Sequence, residues 1–141
     1  MTITIFLVAS LAQDLPPGPG KAVTEKLCSD CHGVGTIVGL RRTKSAWEHT
    51  VDEMAARGAK GTDEEFDQVV AYLARYLGKV NVNQAPAKEI EEVGGFSAAE
   101  AEAIVKYRTQ NGDFKDLNDM RKVADLDPKR LDERKDRIAF R

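Results

Sequence analysis

Cys28-Ser29-Asp30-Cys31-His32 is the segment of this 141-residue chain whose residue types and spacing point most directly to chemistry. Two residues between the thiols let both sulfurs reach the two vinyl groups on one edge of a porphyrin, and the adjacent imidazole turns a ring nitrogen onto the metal. Cys-x-x-Cys-His is the attachment sequence of c-type haem. On this reading Cys28 and Cys31 become thioethers and His32 the proximal iron ligand. Three other chemistries use some of the same residues. A dithiol redox pair is expected beside a βαβ pattern, which the sequence lacks. A structural zinc site needs further Cys or His, and only His49 remains. A disulfide leaves His32 unexplained.

The second axial position has His49, Met54 and Met120 as candidates, with Met1 lost if the leader is cleaved. Residues 45–57 read as a helix, because Trp47, Val51, Met54 and Ala55 recur at one helical face. Met54 shares that face, whereas His49 lies about 200° around the axis from Trp47, at about 100° per residue. Met54 is therefore expected to face the core and His49 the solvent. A thioether opposite an imidazole favours reduced iron and fills both axial positions, which suits one-electron transfer and leaves no place for a substrate. Trp47, Phe66, Tyr72 and Tyr76 are candidate walls for the haem, and Arg41, Arg42 and Lys44 candidate partners for its propionates or for an acidic redox protein.

The elements that position these residues are helical. Residues 21–31 read as a first helix, with Ala22, Val23 and Leu27 apolar and both thiols at its end, broken by Gly33 and Gly35. Thr62-Asp63-Glu64-Glu65 is a capping box opening a further helix, whose stripe is Phe66, Val69, Val70, Leu73, Tyr76 and Leu77 and whose stop is Gly78. A boundary is expected near Lys79. Beyond it, VNVNQAPAKEI leads through Pro86 into a helix ending at Gly94-Gly95, and Ser97-Ala98-Ala99-Glu100 is a second capping box for a helix to about Asn111. Short helices are expected over 117–123 and 128–138, with Leu117, Met120, Val123, Leu126, Leu131 and Ile138 as core. An all-α fold follows, with a first unit over 21–78 and a second over 79–141.

Residues 1–12 form an apolar run too short to span a bilayer, with small residues Ser10 and Ala12 before a cleavage point. They read as a secretory signal and predict a periplasmic or secreted protein, since thioether attachment happens outside the cytoplasm. Residues 13–20, rich in Pro and Gly, read as an extended lead-in. Net charge is 21 − 23 = −2, split as 8 Lys plus Arg against 10 Asp plus Glu over 13–78 and 13 against 13 over 79–141. That balance argues against a strong general footprint for nucleic acid. No acid/base pair, nucleophile constellation or phosphate loop is visible, so an electron-transfer protein is expected rather than an enzyme.

Residues 21–78, on the strength of Cys28, Cys31, His32, Trp47, Val51, Met54 and the closing 72–77 segment, resemble small bacterial class I-like c-type cytochrome domains. The resemblance implies one covalent haem packed among about three helices. From Val80 to about Phe140 the chain resembles the helix-hairpin-helix module of ComEA-like competence DNA receptors, through Val80-Asn81-Val82-Asn83-Gln84-Ala85, Tyr107-Arg108, Asn111-Gly112-Asp113-Phe114-Lys115 and 117–123. That family implies double-stranded DNA held by hairpin glycines. The first hairpin here, 93–97, has Ser97 at the second glycine position, and the second, 123–127, has Asp125 and Asp127 at both. If DNA is bound, Gly94, Gly95, Ser97, Lys88, Lys106 and Arg108 are the expected contacts. Otherwise the module is expected to dock the protein onto a redox partner or onto another copy of itself.

Overall fold

Helices begin where a cap precedes an apolar stripe, and the two capping boxes form as expected. Thr62 Oγ1 accepts from the Glu65 amide at 3.2 Å, and Glu65 Oε2 from the Thr62 amide at 3.1 Å, opening α4 (Asp63–Tyr76). Ser97 and Glu100 do the same for α6 (Ala98–Asn111), at 3.2 and 2.8 Å. The computed structural model describes residues 14–141, so the expected signal segment lies outside the described residues. In chain order the elements are α1 (Lys21–Ser29), α2 (Gly35–Val38), α3 (Lys44–Ala56), α4, β1 (Val80–Asn81), α5 (Ala87–Glu92), α6, α7 (Leu117–Met120), α8 (Pro128–Arg134) and β2 (Ile138–Ala139). The fold is all-α apart from β1 and β2, which pair in parallel, Val80 with Ile138.

Several expectations need correction. α1 stops two residues short of Cys31, and a single turn, α2, forms in the Gly-rich loop that was expected only to break the chain, closed by the Ile37 amide donating to Val34 O at 3.0 Å. On α1, Ala22 is exposed and Thr24 takes an inward position, its hydroxyl back-bonded to Gly20 O at 2.8 Å. The stretch before α1 is structural as well as extended: Leu15 is buried, and the Tyr72 hydroxyl donates to Pro16 O at 2.5 Å. The final helix ends at Arg134 and passes through a 3-10 turn (Lys135–Arg137) into β2.

Two separate cores result. Leu15, Leu27, Trp47, Val51, Val69 and Leu73 belong to the first. Val80, Ile90, Phe96, Ile104, Met120 and Leu131 belong to the second. Met120 is fully buried there, far from the cysteine motif's own core, which removes it as an axial-ligand candidate. Asn83 ties three segments of the second unit, donating to Phe114 O at 2.9 Å and Phe140 O at 3.0 Å and accepting from the Phe114 amide at 2.8 Å.

The join between the units is short and held. Trp47 Nε1 donates to Leu77 O at 2.9 Å, the Arg42 amide donates to the same carbonyl at 3.2 Å, and the Lys79 amide donates to Arg42 O at 2.7 Å. Gly78 sits between them without room for a side chain: a Cβ would lie 1.7 Å from Ala74 O and 2.7 Å from Val93 Cγ1. No helix among the described residues is long and apolar enough to cross a membrane.

Candidate cofactor cavity and hairpin module

The end of α1, the α2 turn and the inner faces of α3 and α4 enclose a predominantly apolar cavity of about 400 Å³. Its walls include Cys28, Cys31, His32 and Met54, four side chains brought together from 27 residues of sequence, and Trp47, Phe66 and Val51 line it between them. Each arrives by ordinary local rules. Cys28 lies in the last turn of α1, one position beyond the buried Leu27. Met54 is half-buried, one helical turn beyond Val51 on the face that Trp47 begins, as its spacing predicts.

His32 is exposed at the cavity edge, with Nδ1 3.4 Å from Gly33 O and 3.3 Å from Thr36 Oγ1. A ring whose Nδ1 is engaged by neighbouring oxygens is oriented to offer Nε2 to a ligand. Both cysteines are free thiols, and burial pushes the Cys28 thiol above its usual value. A thiol–disulfide exchange pair needs the opposite shift, because the thiolate is the nucleophile. His49 is outside: its side chain is 78% exposed, 3.7 Å from Glu53. No group of three or more His, Cys, Asp or Glu gathers in a metal-holding arrangement among the described residues, so the zinc alternative finds no donor set.

Other expected cavity residues go elsewhere. Tyr72 and Tyr76 pack on each other with their rings tilted, at 4.9 Å between centroids, and Tyr72 holds the lead-in. Arg41 donates to Val38 O and Leu40 O, at 3.0 and 2.7 Å. Arg42 donates to Thr50 Oγ1 at 3.0 Å and covers the Trp47 ring, and Lys44 pairs with Glu48 at 2.6 Å. None of these three cations lines the cavity. The cation that does is Arg57, just past the end of α3, with Thr36 and Thr50 the polar wall residues. Its position follows from α3 running one turn past Met54, a signal present in the sequence.

In the second unit, α5 and α6 flank the first hairpin, and α7 and α8 the second. Gly95 has φ +76°, a left-handed conformation that favours glycine, and its amide donates to Glu91 O at 3.0 Å. Gly94 is packed, since a Cβ would meet Ile90 O at 2.4 Å. Of the expected DNA contacts, Lys88 and Lys106 are exposed. Arg108 is partly buried, and its Nη1 donates to Val82 O and Ala85 O, at 2.6 and 2.8 Å, which makes it a structural clamp.

The Ser97 amide donates to Glu100 Oε2 at 2.8 Å, and Arg130 reaches the same oxygen at 3.1 Å. Burial alone would raise the Glu100 carboxyl, but the Ser97 amide and hydroxyl, Arg130 and the Asp127 amide outweigh it and hold the group below its ordinary range. One nearly buried carboxylate thus accepts from the Ser97 amide of the first hairpin and from Arg130 of α8. The capping box predicts the Ser97 bond; the Arg130 bond spans 30 residues and has no local signal.

Comparison with known proteins bears on this second unit. The helix-hairpin-helix motif family matches residues 77–139. ComE operon protein 1 of Bacillus subtilis (strain 168) is 34% identical over 62 residues, covering 44% of this chain and 30% of that protein. An uncharacterized protein of Haemophilus influenzae is 38% identical over 63 residues, 44% of this chain and 56% of the relative. The chain therefore spans well under two thirds of either relative. No solved structure matches. No match among these covers the cysteine-bearing unit. Residues 77–139 thus match the helix-hairpin-helix motif family, and the chain is similar over 62 residues to ComE operon protein 1.

Proposed function

We propose that the N-terminal unit holds one covalent c-type haem and passes single electrons to and from a redox partner protein. The observation that carries this is the convergence of Cys28, Cys31, His32 and Met54 on one apolar cavity. The donor set fits the group: two thiols for thioether links, an imidazole with its Nδ1 engaged, and a thioether sulfur on the α3 face. Bound there, haem supplies a reversible one-electron couple at its iron. The chain's own residues do the rest. Leu27, Trp47, Val51 and Phe66 keep water from the cavity. Thr36 and Gly33 fix the His32 ring, and Arg57 brings positive charge to the wall. With His32 and Met54 both placed to hold the iron, the unit would act as a carrier rather than an enzyme, and residues 1–12 would be the signal that takes it to the periplasm or outside the cell, where attachment occurs.

Expression of the full chain in a host able to attach haem to Cys-x-x-Cys-His tests this. The mature protein should carry one haem resistant to acid–acetone extraction, and Cys28→Ser with Cys31→Ser should abolish it. Colourless wild-type protein with two titratable thiols from such a host refutes the reading.

For the C-terminal unit a second function, double-stranded DNA binding as in a competence-type receptor, is favoured by the helix-hairpin-helix match and by the similarity to ComE operon protein 1. Exposed Lys88 and Lys106 are available to phosphates, while Glu100, Asp125 and Asp127 put negative charge at the hairpins. Gel-shift titration with a short duplex at low salt decides it. Binding that weakens steeply with salt supports a DNA receptor carrying a haem unit. Its absence leaves docking onto the redox partner or self-association, which sedimentation of the full chain then measures.

A further inference from the structure

Three arginines stand along the seam between the two units, and none has an acidic partner among the described residues. Arg134, at the end of α8, lies flat across the Gly95 turn, where a Cβ would stand 3.2 Å from its Nε and 3.3 Å from its Cζ. That Nε is buried and has no hydrogen-bond partner. Arg137, in the 3-10 turn, donates to Val93 O at 3.4 Å, on the same first hairpin. Burial, then the charges of Arg134 and of Arg41 from the N-terminal unit, push Arg137 below its ordinary value. Arg41 is held by the carbonyls of Val38 and Leu40, and its neighbour Arg42 bridges to Gly78, which packs against the same Val93 that Arg137 bonds. No carboxylate lies within ion-pair reach of any of the three among the described residues.

Half-buried like charges with an orphaned donor are unfavourable unless an anion joins them. Guanidinium forks match the oxygens of phosphate in a bidentate manner, and two cations on the first hairpin with a third across the seam suit a tetrahedral, multiply charged oxyanion better than a single carboxylate. The hairpin backbone does not compete for the role, because the Gly95 amide is bonded to Glu91 O and the Ser97 amide to Glu100.

We propose that Arg41, Arg134 and Arg137 form a phosphate-binding site at the seam, built from side chains of both units rather than from hairpin amides. A phosphate held there ties Arg41 of the cytochrome-like unit to the helix-hairpin-helix module. The site depends neither on haem nor on duplex binding by the hairpins.

Calorimetric titration of the full chain with inorganic phosphate, at low ionic strength and with chloride as control, tests it. Saturable binding in the wild type is expected, lost in Arg134→Leu and weakened about tenfold in Arg41→Gln, the equivalent of one lost charge-assisted bond. Arg134→Leu should also melt higher than wild type in the absence of phosphate, because it removes a buried orphan donor and a repelling charge. If that variant does not fold, Arg137→Gln takes its place and should lose binding about as far as Arg41→Gln. A short duplex that competes with phosphate in an Arg134-dependent way assigns the group to a nucleic-acid backbone, and a duplex that does not compete assigns it to a free anion. No saturable phosphate binding, or equal binding in wild type and Arg41→Gln, overturns the proposal.

Discussion

Replacing Glu100 by Ala should destabilise the helix-hairpin-helix module by about 2–3 kcal/mol, a figure that follows from what the carboxylate holds. The capping box with Ser97 contributes about 1 kcal/mol. The acceptor of the Ser97 amide is a buried charge, and losing a bond to a charged group adds about 1–2 kcal/mol. Arg130 adds little: its side chain is 43% exposed and rehydrates when the carboxylate is gone. For a unit of this size the loss corresponds to about 10–20 °C in melting temperature. Thermal unfolding followed by far-ultraviolet circular dichroism reads it. Glu100→Gln, which keeps shape and loses charge, should fall between. The pH dependence gives an independent check. The folded carboxyl titrates below its unfolded value, so its contribution is complete above about pH 5 and disappears as pH falls through the folded value. Wild type and Glu100→Ala should therefore converge in acid. A difference under about 0.5 kcal/mol at neutral pH, or one that persists unchanged at pH 2–3, refutes the assigned role.

Met54→Ala should leave haem attached through Cys28 and Cys31 but change the axial-ligand absorption and lower the reduction potential; an unaltered spectrum removes Met54 from the site. Trp47→Phe loses the indole bond to Leu77 O and part of a fully buried side chain, and should cost about 2–3 kcal/mol in urea unfolding; a midpoint equal to wild type contradicts that. Gly78→Ala should destabilise by more than about 2 kcal/mol, since its methyl meets the Ala74 carbonyl, and unchanged stability shows that the join can shift. Tyr72→Phe should cost about 1 kcal/mol and increase proteolysis near Pro16, read by limited digestion.

How legible the molecule is in its sequence depends on the range of each interaction. The boxes at Thr62 and Ser97 and the Trp47–Val51–Met54 face are fixed within one or two helical turns, and all form as expected. Cys28, Cys31 and His32 are adjacent along the chain, so only their meeting with Met54 needed the fold, and helical phase had already turned Met54 inward. Tertiary choices could not be read. Tyr72 shares the α4 stripe with cavity residues, yet packs on Leu15 and Pro16, because the lead-in occupies that side. Arg108 looks like any exposed cation until Val82 and Ala85 present their carbonyls. The meeting of Arg137 with Val93 joins residues 44 positions apart, where no periodicity applies.

The brief connection at Gly78 has a mechanical corollary. With the Leu77 carbonyl gripped by Trp47 and the next backbone groups stitched to Arg42, the chain has no elbow there. Whatever surface the C-terminal module grips, the mouth beside His32 is carried at a set reach and bearing, so copies lined up along a repeating track would display that mouth at even intervals.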